Sequence, residues 1–241
     1  MNPPVTTRWT SVTTAAGEMA AYLALPPGGS GPGLLLLQEI FGVNAHMRSV
    51  AEQYALAGFV VLAPDVFWRQ APRIELGYEG AERQRGVQLA TALKPDEVLA
   101  DLQAATAALR GRPELVGTGG QPGKVAAIGY CMGGRLAYTA AALAGVDAAV
   151  AYYGGGIQGQ LALAPQISCP IQFHYAGQDD HIPPAAVDAV RSAMAGNPAA
   201  ELHVYPGSQH GFNCWARASY HAPSAALAHG RSLAFLAQAL F

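Results

Sequence analysis

Val125-Ala-Ala-Ile-Gly-Tyr-Cys-Met-Gly-Gly-Arg-Leu136 is the stretch on which the fold turns. Residues 125–129 form a short apolar run suited to a covered β-strand, and 135–143 carry the spaced apolar residues of an amphipathic helix. Between them, Gly129-Tyr-Cys-Met-Gly133 fits the Gly-x-nucleophile-x-Gly pattern with Cys131 at its centre. The central residue of such a strand-to-helix turn is held in a strained conformation, and glycines on both sides remove the Cβ atoms that would strike neighbouring backbone. The side chain is left pointing into a cleft. A helix N-terminus and a nearby imidazolium both favour the thiolate form of a cysteine so placed.

The same alternation extends in both directions. Apolar runs at 33–38, 59–63, 148–153, 171–175 and 202–205 read as strands, with a lead-in pair at 9–12 and 19–25 at one edge. Segments 45–56, 81–93, 95–109, 185–195 and 224–240 have helical spacing. Strands joined by crossover helices give an α/β fold with a mostly parallel central sheet and helices on both faces. Leu34-Leu-Leu-Leu37 and Val125-Ala-Ala-Ile128 are apolar on consecutive residues, as strands covered on both sides require. The Gly- and Pro-rich stretches at 26–33 and 117–123 are expected to be surface connections. No hinge or repeat divides residues 1–241, which are read as one domain.

Composition narrows the function. With 51% hydrophobic and 12% charged residues the chain can bury a large core. A formal charge of −2 with no basic block gives no attraction for nucleic acid. The start of the chain lacks a basic segment followed by an apolar run, and the apolar stretch 33–37 is far too short to span a bilayer. A cytoplasmic protein without membrane partners is expected. Cys131, Cys169 and Cys214 are an odd number with no C-x-x-C spacing, so neither a disulfide framework nor a structural metal is expected, and no cofactor is called for.

In parallel sheets ligands bind beyond the C-terminal ends of the strands. Glu39, Asp65, Cys131, Asp179 and His210 all follow strand runs there. A nucleophile on this turn needs a base and a group to orient that base, and α/β-hydrolases supply them in the chain order nucleophile, acid, histidine. Asp179 and His210 follow Cys131 in that order. Asp180 is adjacent to Asp179 and is the competing carboxylate, and His46 is the competing histidine. Glu39 ends a buried strand, a costly position for a carboxylate without a task. The backbone N–H groups of Met132 and Ile40 stand where acyl-transfer sites hold their oxyanion donors. Phe41, Trp68 and Tyr152 are the aromatic candidates for the pocket wall. These assignments describe an α/β-hydrolase fold acting on a small ester or lactone.

Four motifs in order, Gln38-Glu-Ile-Phe-Gly-Val-Asn44, Gly129-Tyr-Cys-Met-Gly-Gly134, Gly177-Gln-Asp179 and His210-Gly-Phe212, resemble the dienelactone hydrolase (carboxymethylenebutenolidase) family over about 9–236. The resemblance implies a cysteine that attacks an ester carbonyl, forms an acyl-enzyme and is freed by water, with His210 as base and Asp179 as its orienter. It implies that Glu39 interacts with the cysteine and helps to ionise it. Family members that cleave dienelactone hold the substrate carboxylate with two arginines. Arg85, in Glu82-Arg-Gln-Arg85, matches the first; the second is expected four residues after the histidine, where this chain has Cys214 and the nearest arginine is Arg217. That departure leaves the acyl chemistry in place and opens the substrate to broader esters and lactones. Two other readings stay open: a thiol amidotransferase-like enzyme, against which Phe212 stands where a glutamate is required, and a ligand-binding or redox-sensing protein in which Cys131 oxidises.

Overall fold

The computed structural model describes residues 4–117 and 121–241; part of the 117–123 connection therefore lies outside the described residues. Eight strands form one sheet in the order β1-β2-β4-β3-β5-β6-β7-β8. They are β1 (Thr6–Thr14), β2 (Gly17–Leu25), β3 (Gly33–Leu37), β4 (Val60–Pro64), β5 (Val125–Tyr130), β6 (Ala148–Tyr152), β7 (Ile171–Ala176) and β8 (Ala200–Tyr205). β2 runs antiparallel to β1 and β4, and the six strands from β4 to β8 are parallel. Among the described residues the α-helices are α1 (Ala45–Leu56), α2 (Gly80–Thr91), α3 (Pro95–Arg110), α4 (Met132–Leu143), α5 (Pro184–Ala193) and α6 (Ala222–Leu240). This is the α/β-hydrolase fold expected from the strand rhythm together with the nucleophile turn.

Helices cover both faces, which is why β3, β4, β5, β6 and β7 are buried at every residue while the edge strands β1 and β8 are mostly exposed or half-buried. α3 and α4 pack together on one face. On the other, Tyr54 of α1 meets His229 of α6, and the Tyr152 hydroxyl of β6 lies 2.8 Å from Ser232 of α6. α1 starts at a sequence-encoded cap, Asn44, whose Oδ1 accepts from the Met47 amide at 3.1 Å. Pro95 opens α3, where its missing N–H costs no hydrogen bond.

The chain reverses direction across the sheet at β3. It passes from β3 through α1 to β4 on one side, then returns to β5 on the other. Such a reversal opens a crevice beyond the strand ends. Leu37 of β3 pairs with Gly129 of β5, so the residues that follow each strand emerge side by side at this crevice.

The start of α4 is three residues earlier than the apolar spacing predicts, because Met132, Gly133 and Gly134 form its first turn. These glycines let the helix press against the sheet. A Cβ on Gly129 would collide with the Gly133 carbonyl, one on Gly133 with the Leu37 carbonyl, and one on Gly134 with the Tyr152 carbonyl. Because backbone atoms are the obstacle, no side-chain adjustment relieves it. Gly133→Ala is expected to destabilise the protein by about 3 kcal/mol, seen as a lower urea midpoint with little change in slope.

Candidate active site

Cys131 caps α4 with φ 56° and ψ −116°, a positive-φ conformation that a residue with a side chain adopts at a cost. Its amide donates to the Tyr152 carbonyl at 3.0 Å, and its carbonyl accepts from Gly134 at 3.0 Å. The turn is thereby held between β5, β6 and the first turn of α4. The thiol is partly exposed and lines a cleft of about 310 Å³ together with Ile40, Met132, Arg135 and the α2 residues Val87, Ala90 and Thr91. The other cysteines differ: burial pushes the Cys169 thiol up to about 11 and the Cys214 thiol up to about 12, so both stay protonated at neutral pH.

His210 and Asp179 are brought together by main-chain bonds between the loops that bear them. The Gly177 amide donates to the Tyr205 carbonyl and the Gln178 amide to the Ser208 carbonyl, each at 2.8 Å. His210 Nδ1 then lies 2.8 Å from Asp179 Oδ2. The other carboxylate oxygen, Oδ1, accepts from the amides of His181 at 2.8 Å and Ile182 at 3.1 Å. The Asp179 side chain is fully buried, whereas Asp180 is exposed, so the competing carboxylate points away. Burial works to raise the Asp179 carboxyl, but the His210 hydrogen bond and the two amides outweigh it and hold the group below its ordinary range. For His210, burial opposes the charge, while hydrogen bonding to Asp179 and to the Cys131 thiol pushes the imidazolium up to about 10. The imidazole therefore stands between the carboxylate and the thiol.

Glu39, two residues beyond β3, is 1% exposed. Oε1 accepts from Arg217 Nη1 at 3.0 Å, and Oε2 is buried without a partner among the described residues. Burial raises the carboxyl above its ordinary range, with Arg217, the His210 imidazolium and the Cys214 thiol only partly offsetting it. Arg217 also lies over the rings of Phe41 and Tyr78, 5.7 and 5.9 Å from their centroids. Arg217 thus reaches the site floor from three positions beyond Cys214, and there it is the counter-ion of Glu39.

Several pocket expectations need correction. Tyr152 does not line the cleft: its ring is fully buried, stacked on His174 and bonded through its hydroxyl to Ser232 of α6. Trp68 is also elsewhere, its Nε1 donating to Asp101 of α3 at 2.8 Å, with Arg69 bonded to the same carboxylate. Phe41 is 2% exposed and supports Arg217 from beneath. Arg85 lies on the exposed side of α2, 3.5 Å from Gln88, and does not line the cleft beside Cys131. From α2 it is Val87, Ala90 and Thr91 that border the cleft, Val87 and Thr91 remaining exposed. His46 is buried against Trp215, with its pKa lowered to about 4 by burial and by Arg217.

Ile40 and Met132 both line the cleft, and Met132 is the first residue of α4, where amides have no partner inside the helix. A residue that strand reading passes over is Tyr153. It directly follows β6 at φ 36°, its ring lies 5.1 Å from that of His210, and its buried hydroxyl has no partner among the described residues. The apolar run 148–153 carries the expected strand one residue past the observed end of β6, so neither its place after the strand nor its strained backbone was visible. Among the described residues no group of three or more His, Cys, Asp or Glu side chains is arranged to hold a metal, and no helix is long and apolar enough to cross a membrane.

A family model described as the dienelactone hydrolase family matches residues 19–240. The chain belongs to the dienelactone hydrolase family. It is 35% identical over 218 residues to a carboxymethylenebutenolidase of Pseudomonas putida, covering 90% of each chain. It is 32% identical over 224 residues to carboxymethylenebutenolidase 1 of Cupriavidus pinatubonensis, covering 92% of this chain and 93% of that one. A Klebsiella pneumoniae structure assigned as a dienelactone hydrolase superposes with a TM-score of 0.84 at 30% identity, over 98% of this chain and 100% of the other. A dienelactone hydrolase structure from Anabaena variabilis, 20% identical with a TM-score of 0.71 over 99% and 100% of the two chains, shares the fold. As a member of the dienelactone hydrolase family the protein is a hydrolase of the ester and lactone class.

Proposed function

We propose that the protein hydrolyses small esters or lactones through an acyl-enzyme on Cys131, with His210 as proton carrier, Asp179 as its orienter and Glu39 assisting ionisation of the thiol. The observation that carries this reading is the Asp179–His210 bond of 2.8 Å, directed at a thiol mounted on a strained strand-to-helix turn. Nucleophile, base and orienter in hydrogen-bond succession are the requirements of covalent acyl transfer.

The Cys131 thiolate attacks the ester carbonyl, and the negative charge that develops on oxygen is met by the amides of Met132 and Ile40. As the carbonyl reforms, the alkoxide leaves and takes the proton from His210. In the second half a water gives its proton to His210 as it attacks the thioester, and the thiolate departs. Glu39 suits a proton acceptor for the resting thiol because burial raises its carboxyl and one oxygen is uncommitted. A neutral thiol would thus become a nucleophile when the site is occupied. The substrate is a small molecule, since the cleft is about 310 Å³. Carboxymethylenebutenolidase relatives favour a dienelactone or a related ester, and residues 1–241 act as one domain in this reading.

The test is a panel containing a dienelactone, 4-nitrophenyl acetate and simple alkyl esters, with acid-quenched samples analysed by mass spectrometry. Hydrolysis with an acyl group trapped on the Cys131 peptide is expected. Hydrolysis with the acyl group on another residue, or none of the panel turned over, would sink the proposal.

A further inference from the structure

β8 ends the sheet, and no strand lies beyond it among the described residues. On its inner side the Ile171 amide of β7 donates to the Ala199 carbonyl, and the Gly177 amide to that of Tyr205. Parallel pairing is evenly spaced, so Ala199, Glu201, His203 and Tyr205 turn their backbone groups toward β7, and Ala200, Leu202 and Val204 turn theirs outward. The Ala200 amide is taken by the Asn197 carbonyl. The Ala200 carbonyl and both groups of Leu202 and Val204 are left at the open edge. Such edges are commonly blunted by Lys, Pro or a bulge, and these outward positions hold only small or branched apolar residues.

Alternation gives the strand two unlike faces. Toward α5, Val204 is 41% exposed, and Ala200 and Leu202 border a hollow of about 350 Å³ that Phe173, Met194 and Pro198 also line. Toward α6 stand Glu201, His203 and Tyr205. Glu201 Oε2 accepts from Gln172 Nε2 at 2.7 Å and lies 3.4 Å from His203 Nε2, while Oε1 has no partner among the described residues. Arg231 of α6 is half-buried, donates to the Tyr205 hydroxyl at 3.2 Å and lies 5.6 Å from the centre of that ring. Burial and the neighbouring Arg231 guanidinium lower the pKa of His203. No carboxylate among the described residues pairs with Arg231. Glu201 stands four residues before Tyr205, about 13 Å along the strand, too far to serve its own chain's Arg231. A half-buried cation and a free carboxylate oxygen thus stand unmatched on one strand face.

We infer that the protein forms a two-fold dimer in which β8 pairs antiparallel with β8 of a second copy, centred on Leu202. The inference is independent of the hydrolase reading. Because the outward groups belong to Ala200, Leu202 and Val204, a second copy pairs these residues with one another. Leu202 exchanges both of its bonds with its counterpart, and each Val204 amide donates to the other copy's Ala200 carbonyl. Toward α5, the exposed Val204 side chain then lies against the second copy's Ala200, where the hollow opens. Toward α6, Glu201 faces the second copy's His203 with that copy's Arg231 beside it, and symmetry repeats the contact. The carboxylate and cation left over in one chain are matched across the two-fold. Centring on His203 instead would set the two imidazoles, each with its Arg231, against one another, so charge selects the Leu202 register.

The test is sedimentation equilibrium of the full chain over about 1–200 μM. A species of twice the 25.0 kDa chain mass is expected. Val204→Lys puts a charge at an exposed edge position and should raise the dimer dissociation constant about 10-fold or more with thermal unfolding unaltered. Glu201→Arg and Arg231→Glu each set like charges across the two-fold and should weaken the dimer to a similar degree. Mixed in equal amounts, these two variants carry opposite charges at both contacts and should associate with each other, an outcome that a merely local disturbance of either chain would not give. A wild type that stays at one chain mass throughout, a dimer that survives Val204→Lys, or charge variants that remain apart on mixing overturns the inference.

Discussion

Replacing Cys131 with alanine is expected to lower kcat/KM toward an activated aryl ester by about 10³-fold or more, with the protein still folded. Loss of a nucleophile removes the covalent route entirely, leaving what binding and the oxyanion donors supply. Stability should move the other way in a companion variant. Cys131 adopts φ 56°, and strain of this kind costs about 1–3 kcal/mol. Cys131→Gly relieves that strain, so thermal unfolding should occur at or above the wild-type temperature while hydrolysis is lost. Comparable hydrolysis by wild type and Cys131→Ala would remove the thiol from the mechanism. A marked destabilisation of Cys131→Gly would show that the turn is not strained as its backbone implies.

The second large effect concerns His210. His210→Gln is expected to lower kcat by about 10²–10⁴-fold, the contribution usual for a positioned proton carrier. The pH dependence separates this role from a packing one. The His210 imidazolium is pushed up to about 10 in spite of its burial, chiefly through the hydrogen bonds to Asp179 and Cys131. The wild-type alkaline limb should therefore fall near pH 10, and Asp179→Asn should move it down toward the ordinary histidine range near ~6.5. Stability follows with a definite sign. Because the folded value lies above the unfolded one, the His210 contribution is complete below pH ~6.5 and is lost as pH rises toward about 10. Asp179, held low, contributes above its unfolded value and loses that contribution as pH falls. Unfolding midpoints across pH should show both flanks in the wild type and a flatter alkaline flank in His210→Gln. An alkaline limb unaffected by Asp179→Asn would refute the assigned coupling.

What the sequence displayed was governed by local rules. Runs such as Leu34-Leu-Leu-Leu37 are apolar because helices cover both faces of the sheet, so strand order and type could be read from them. Cys131, Asp179 and His210 could be picked out because each follows a strand, and the strand ends converge on one crevice. Side-chain direction was another matter. Tyr152 ends a strand as a pocket residue would, yet alternation turns its ring to the α6 side; Tyr153, one residue later, lies beside His210. The partner of Glu39 is 178 residues away, and no spacing rule connects them.

The two amide-to-carbonyl hydrogen bonds that join the loops after β7 and β8 have a consequence for how such an enzyme can diversify. They hold Asp179 and His210 as one unit, built from main chain and so indifferent to most side-chain replacement. The facing wall is a different kind of object: Val87, Ala90 and Thr91 sit on a helix outside the sheet, small and partly open to water. Substitution can recut that wall without disturbing the Asp179–His210 pair, so the cleft of this scaffold can be reshaped one helix face at a time.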